Sequence, residues 1–150
     1  MSKAFFAGSF NPFTKGHASV VDRALTVFDS VVIAIGVNAN KAHDAADTER
    51  RLRDIAALYD GDPRVSVISF GTLAVDAARA AGATVLLRGV RSVADFEYER
   101  AMADINRRLS GLETVLMYAL PEHEALSSSV VRELQSYGVD TTPFLPQKGE

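Results

Sequence analysis

Ten residues near the start of the chain, Gly8-Ser9-Phe10-Asn11-Pro12-Phe13-Thr14-Lys15-Gly16-His17, have the types needed to handle an anion. Gly8 and Gly16 let a ligand approach the backbone closely. Ser9 offers a hydroxyl and an adjacent amide. Gly16-His17 reads as the opening of a helix, where unpaired N–H groups and the helix dipole favour negative charge. A histidine there can donate a hydrogen bond to a phosphoryl oxygen. A lone Gly-His would equally suit a strand-to-helix turn with an exposed histidine; the whole string in one turn favours phosphate chemistry.

Three more places carry similar chemistry. Val37-Asn38-Ala39-Asn40-Lys41 ends in a lysine that either reaches a second phosphate or stays in solvent. Arg88-Gly89-Val90-Arg91 sets two guanidinium groups around a glycine, which suits phosphate clamping. Ser127-Ser128-Ser129-Val130-Val131-Arg132 opens a helix with more hydroxyls than one N-cap needs. Asp95 and Glu99 read as solvated charges, and His43 as a surface residue. His123 lies shortly before the serines and could line a site.

Other chemistries are set aside. There is no G-x-x-x-x-G-K-[ST] and no G-x-G-x-x-G, which argues against a P-loop ATPase and a dinucleotide dehydrogenase. The sequence has no cysteine, so disulfides, thiolate metal sites and a cysteine nucleophile are excluded. No Ser-His-Asp order, paired-carboxylate motif or histidine metal spacing competes, and no metal-ligating residue is expected. A net charge of −3 gives no global basic field for nucleic acid or an anionic membrane, so any anion site is local. The apolar run Ala4–Ala7 is too short for a signal-peptide core, and no apolar stretch is long enough to span a bilayer. A cytoplasmic location, with no nucleic-acid or membrane partner, is expected.

These residues need a scaffold that brings them together. Lys3–Gly8, Ser30–Val37, Val65–Ile68, Thr84–Leu87 and Thr114–Tyr118 read as short apolar strands. Helical periodicity lies between them. Val20, Val21, Ala24, Leu25 and Phe28 share one face after His17. Thr48–Leu58 follows Asp47 or Thr48 as N-cap, and Leu73–Ala81 stops at Gly82. Ala94–Leu109 carries an apolar stripe of Tyr98, Ala101, Met102, Ile105 and Leu109, with Asp95, Glu99, Arg100, Asp104 and Arg107 facing away from it. Ser127–Ser136 is a last short helix. Alternating strands and helices predict one α/β domain over residues 1–150: a Rossmann-like, doubly wound, five-stranded parallel sheet with helices on both faces. Ligands bind such sheets beyond the carboxyl ends of the strands, where the polar clusters fall.

The pattern is similar to that of the phosphopantetheine adenylyltransferase family over nearly the whole chain. The likeness rests on Gly8-Ser9-Phe10-Asn11-Pro12 with Thr14-x-Gly16-His17, and on Arg88-Gly89-x-Arg91 with Ala94-Asp95-Phe96-Glu97-Tyr98-Glu99. Asn106-Arg107, the serine triplet with Val131-Arg132-Glu133, and Pro143-Phe144-Leu145-Pro146 extend it. Ser9 stands where threonine is common and keeps the hydroxyl. Asn11 stands where aspartate is usual and removes a charge. Glu122-His123-Glu124-Ala125-Leu126 lacks the aromatic residues many members carry before the serines.

The resemblance implies transfer of the adenylyl group of ATP to 4′-phosphopantetheine, giving dephospho-coenzyme A and pyrophosphate. By the same resemblance, His17 stabilises the transition state and Ser9 contacts both substrates. Lys41 and Arg88 hold the acceptor phosphate, and Ala74 lines its groove. Phe10, Gly89, Val90, Arg91, Glu99, His123, Glu124, Ala125, Leu126, Ser127, Ser128 and Ser129 join Ser9 and His17 around ATP. Mg²⁺ as cofactor and a homohexamer are implied as well. Another acceptor such as nicotinate mononucleotide, CTP as donor, a nucleotide-binding module without turnover, and a structural α/β protein are the competing readings.

Overall fold

The computed structural model describes residues 1–37 and 45–148. Lys41 and His43 lie outside the described residues. The strands are β1 (Lys3–Gly8), β2 (Ser30–Gly36), β3 (Val65–Phe70), β4 (Val85–Val90) and β5 (Glu113–Tyr118). They form one sheet in the order β3-β2-β1-β4-β5, and every pairing is parallel. The helices are α1 (Lys15–Ala24), α2 (Ala45–Leu58), α3 (Ala74–Ala80), α4 (Val93–Ser110) and α5 (Ser128–Ser136). The Rossmann-like, doubly wound α/β fold is thus present.

Both faces of the sheet are covered, which is why the central strands are apolar at nearly every position. Ala4 and Phe6 of β1, and Val31, Ile33 and Ile35 of β2, pack with Val20, Val21 and Ala24 of α1 and Ile55 of α2. The alternate residues Phe5, Val32 and Ala34 pack with Val75 and Ala78 of α3 on the other face. Phe5, Ile33 and Ile35 are fully buried. Each such side chain contributes roughly 1.5–3 kcal/mol by leaving water.

The chain runs outward from β1 through β2 to β3, then returns to lay β4 on the other side of β1. That reversal opens a crevice beyond the ends of β1 and β4. The Gly8–Phe10 turn and the Arg88–Arg91 stretch meet there.

Several local expectations are corrected. β4 continues to Val90, so Arg88, Gly89 and Val90 belong to the strand rather than to a loop after Leu87. Asp47 and Thr48 fall inside α2 and do not cap it. The stripe on α4 does not face the core: Tyr98 is 62% exposed, and Ala101, Met102, Ile105 and Leu109 are exposed too. The buried residues of α4 are Glu99, at 6% exposure, and Ser110 near its end, so the reading of Glu99 as a solvated charge is also overturned. Periodicity shows that a helix has an apolar face; it does not say what covers that face.

Candidate active site

The site starts at the N-terminus of α1. Thr14 is the N-cap, and its side-chain oxygen accepts the His17 N–H at 3.4 Å. The Thr14 N–H in turn donates to His17 Nδ1 at 2.9 Å, and Thr14 Oγ1 lies 3.2 Å from the same nitrogen. This is a capping box with histidine in the position usually taken by glutamate or glutamine. With Nδ1 accepting, the ring proton sits on Nε2. His17 therefore has one polar atom left for a ligand, and that atom is a donor.

Charge and burial keep this imidazole neutral. Its pKa is lowered from 6.5 to about 4, first by burial and then by the positive fields of Arg91 and Arg88. A donor that needs no protonation works across neutral pH. The shift also fixes a stability trend. The unfolded chain protonates His17 near 6.5 and the folded chain near 4, so the unfolded state binds more protons between these values. The stability from neutral His17 is complete above the unfolded pKa and is lost as pH falls towards the folded one. Thermal melts of the ligand-free protein should therefore show a weaker pH dependence between 4 and 6.5 in His17→Asn than in wild type. Equal slopes in the two proteins would contradict the burial of a neutral ring.

The floor beneath His17 is aromatic. The Phe10 ring meets the imidazole edge-on at 5.0 Å, and Phe13 stacks on it at 5.4 Å. Phe10 is only 3% exposed and adopts a φ of 47°. It supports the imidazole from below and also lines the cavity above. Gly8 makes room for this packing, since a Cβ there would lie 3.0 Å from the Phe10 ring.

A cavity of about 320 Å³ opens over these residues, a size in the usual range for small-molecule sites. From the β1–α1 turn it takes Gly8, Ser9, Phe10, Thr14, Gly16 and His17. From the end of β4 it takes Arg88, Gly89, Val90 and Arg91. His123, Leu126, Ser127, Ser128, Ser129 and Arg132 close the third side. Among the described residues, three arginines and two histidines face the space and no carboxylate does, although the chain as a whole is acidic. The site is therefore built for an anion.

The three serines have separate tasks. Ser127 caps α5 by accepting the Val130 N–H at 3.2 Å. The Ser128 hydroxyl donates to the Pro12 carbonyl at 2.7 Å and ties α5 to the β1–α1 turn. Ser129 Oγ accepts from Arg132 at 3.2 Å, while the other Arg132 terminal nitrogen donates to the Asn11 carbonyl. The Ser128 and Ser129 N–H groups, in the first turn of α5, remain for a ligand.

Four residues from the sequence set lie elsewhere. Ala74 and Glu99 line a second cavity of about 180 Å³, which shares Ala7 and Arg88 with the first. Glu124 lines a shallow pocket with Phe96 and Tyr118, and Ala125 is exposed outside the main cavity. Arg132 and Arg51 contribute from outside that set. Arg132 follows Ser129 by three residues, which places both on one helix face, so the spacing carried that signal. Arg51 of α2 donates to the Ser9 carbonyl at 2.6 Å, and no local pattern announces that contact.

Comparison with known proteins agrees with this geometry. The description of cytidylyltransferase-like proteins matches residues 5–134. The phosphopantetheine adenylyltransferase of Phocaeicola vulgatus is 52% identical over 98% of this chain and 97% of its own length. That of Porphyromonas gingivalis is 51% identical over 96% and 94%. A crystal structure of a putative nicotinate-nucleotide adenylyltransferase from Vibrio parahaemolyticus superposes with a TM-score of 0.62 at 19% identity, covering 98% of this chain and 95% of that one. At that identity the likeness speaks for the fold alone. With a matching family description over most of its length and relatives at half identity end to end, the chain belongs to the phosphopantetheine adenylyltransferase family of cytidylyltransferase-like proteins.

Proposed function

We propose that the protein transfers the adenylyl group of ATP to 4′-phosphopantetheine, releasing pyrophosphate and forming dephospho-coenzyme A. The observation that carries this reading is the pair of adjoining cavities with Arg88 between them. The first is cationic and suits a triphosphate. The second, lined by Phe5, Ala74, Leu86 and Met102, suits a long neutral arm whose phosphate ends at Arg88. Relatives named phosphopantetheine adenylyltransferase, at half identity over nearly the full length, support the choice of acceptor.

The chemistry asks little of a nucleophile. An acceptor phosphate oxygen, already ionised at neutral pH, attacks the α-phosphorus in line. One P–O bond forms as the bond to the bridging α–β oxygen breaks, and pyrophosphate leaves with that electron pair. Catalysis is then positioning and charge stabilisation. His17 Nε2–H donates to the phosphoryl oxygen as negative charge builds. Arg91, Arg132 and the N–H groups of Ser128 and Ser129 hold the rest of the triphosphate.

Among the described residues, no group of histidine or acidic side chains could hold a metal. The lining does not fit a resident Mg²⁺. In our reading magnesium enters on the phosphates of ATP, as this ion usually does. Loss of turnover with EDTA and recovery with added Mg²⁺ would check that. The homohexamer belongs to the same proposal. It is supported by the exposed apolar stripe of Tyr98, Met102, Ile105 and Leu109, and sedimentation equilibrium tests it against the 16.1 kDa chain. A cytoplasmic site of action is also proposed. No helix among the described residues is long and apolar enough to cross a membrane, and cell fractionation would check the location.

A substrate panel tests the central reading. ATP or CTP is offered with 4′-phosphopantetheine or nicotinate mononucleotide, and pyrophosphate release is followed. Release is expected only with ATP and 4′-phosphopantetheine. Turnover with the mononucleotide would reassign the acceptor, and ATP binding without release under any pairing would leave a non-catalytic module.

A further inference from the structure

We infer that Arg51 is a positioning residue for the Ser9–Phe10 peptide, and that it keeps the Phe10 N–H turned out for a phosphate oxygen of the nucleotide. The inference rests on the adenylyl-transfer reading for the identity of that nucleotide. Its structural half stands on the contacts alone.

β1 ends its pairing with β2 at Gly8, opposite Ile35. The peptides that follow need partners from outside the ladder. Arg88 of β4 holds the Ala7 carbonyl, and Arg132 and Ser128 of α5 hold those of Asn11 and Pro12. The Ser9 carbonyl is held from α2, by Arg51 Nη1 at 2.6 Å. Among the described residues it has no other partner.

α2 braces the guanidinium for this contact. Nη2 donates to Thr48 Oγ1 at 3.3 Å, and Nε lies 3.4 Å from Asp47 Oδ2. Both partners sit one turn earlier on the same helix. Thr48 is buried, and Ile55, one turn later, packs in the core with Ile33 and Ile35 of β2. The Arg51 side chain is only 17% exposed and lines neither cavity. It meets the site through Ser9, which lines the first cavity together with Phe10.

The peptide that Arg51 grips has a reason to turn over. A trans peptide points its carbonyl and its N–H in opposite directions. With the Ser9 oxygen drawn towards Arg51, the Phe10 N–H points away from it, and among the described residues that N–H has no partner. Phe10 holds a φ of 47°, which a residue with a Cβ adopts only under constraint. Rotating this one peptide by half a turn would bring φ into the ordinary negative range while the ring stays in place. It would also put a carbonyl oxygen where the N–H stood, and that oxygen repels phosphate. Arg51 opposes the rotation, because the rotation breaks its hydrogen bond. The ring fixes where Phe10 sits; Arg51 fixes which way its N–H faces.

Calorimetric binding of inorganic triphosphate to wild type, Arg51→Met and Arg51→Lys tests this with no acceptor present. Methionine keeps the apolar stem and removes the charge and the donors. Arg51→Met is expected to bind triphosphate about tenfold more weakly, the size of one charge-assisted hydrogen bond. Lysine keeps the charge but has no fork to brace against Thr48, so it should recover only part of the loss. In isotope-labelled wild type the Phe10 N–H resonance should move downfield with triphosphate, and in Arg51→Met it should not. In turnover, Arg51→Met should raise the KM for ATP about tenfold while the KM for 4′-phosphopantetheine stays within about twofold. Wild-type triphosphate affinity in a folded Arg51→Met overturns the inference, as does a Phe10 N–H that ignores triphosphate in wild type. Wild-type affinity in Arg51→Lys would mean that charge alone suffices, and equal rises in both KM values would mean a general loosening of the site; each overturns it as well. Should Arg51→Met not fold, Arg51→Lys decides by the same measurements. If wild type shows no turnover with ATP and 4′-phosphopantetheine while the triphosphate and resonance results hold, the functional reading fails and the positioning role stands.

Discussion

His17→Ala is expected to lower kcat by roughly 10²–10³, the usual effect of losing one preorganised donor to a developing negative charge. The same change costs about 1 kcal/mol of stability, because the Thr14 N–H loses its acceptor on Nδ1. Alanine alone cannot separate these effects, and two other replacements can. Asparagine puts an acceptor close to the place of Nδ1 and nothing at Nε2; it should keep the melting temperature and lose the rate. Glutamine reaches towards Nε2 with an amide donor but leaves Thr14 poorly served; it should lose some stability and retain part of the rate. The measurements are kcat at saturating substrates and the midpoint of thermal unfolding. A near-wild-type rate in the asparagine variant would remove Nε2–H from the mechanism.

The second large effect concerns the floor of the site. Phe10→Ala is expected to cost about 3–5 kcal/mol, as for other buried phenylalanines. The ring contacts Phe6, Phe13 and His17, so its loss opens a cavity directly beneath the imidazole. Activity should fall with it, as His17 loses the surface that sets its orientation. The backbone adds a further test. A φ of 47° is strained for any residue with a Cβ, by about 1–3 kcal/mol, and glycine adopts it freely. Phe10→Gly should therefore be more stable than Phe10→Ala, although glycine is the smaller residue and the more flexible one when unfolded. Urea unfolding of the three proteins decides it. An alanine variant within about 1 kcal/mol of wild type, or more stable than the glycine variant, would show that the ring is not what holds this conformation.

These two residues also show where reading the chain succeeds and where it stops. The Thr14–His17 string announced a helix N-terminus ready for an anion, and the helix begins there. Nothing local announced that histidine would close the capping box through Nδ1, which sets its tautomer. The sequence places Phe10 in the site, and it lines the cavity; that its ring also packs against His17, in space that Gly8 leaves for it, is decided by the fold. Likewise the apolar stripe of α4 suggests a core-facing side, yet the helix buries a glutamate paired with Arg88 of β4, eleven positions earlier.

By itself, the sequence determined the order of elements, the two-sided apolar character of the central strands, and which strand ends carry donors. These are properties of neighbours along the chain, set by periodicity, capping residues and turn residues. Only the tertiary structure decided that β4 returns beside β1, so that His17, Arg91 and the Ser127–Ser129 turn face one space. It also decided that Glu99 reaches Arg88 and that Arg51 reaches Ser9. Those contacts depend on sheet order and helix rotation, which are settled by how whole faces pack, and no short window of residues records them.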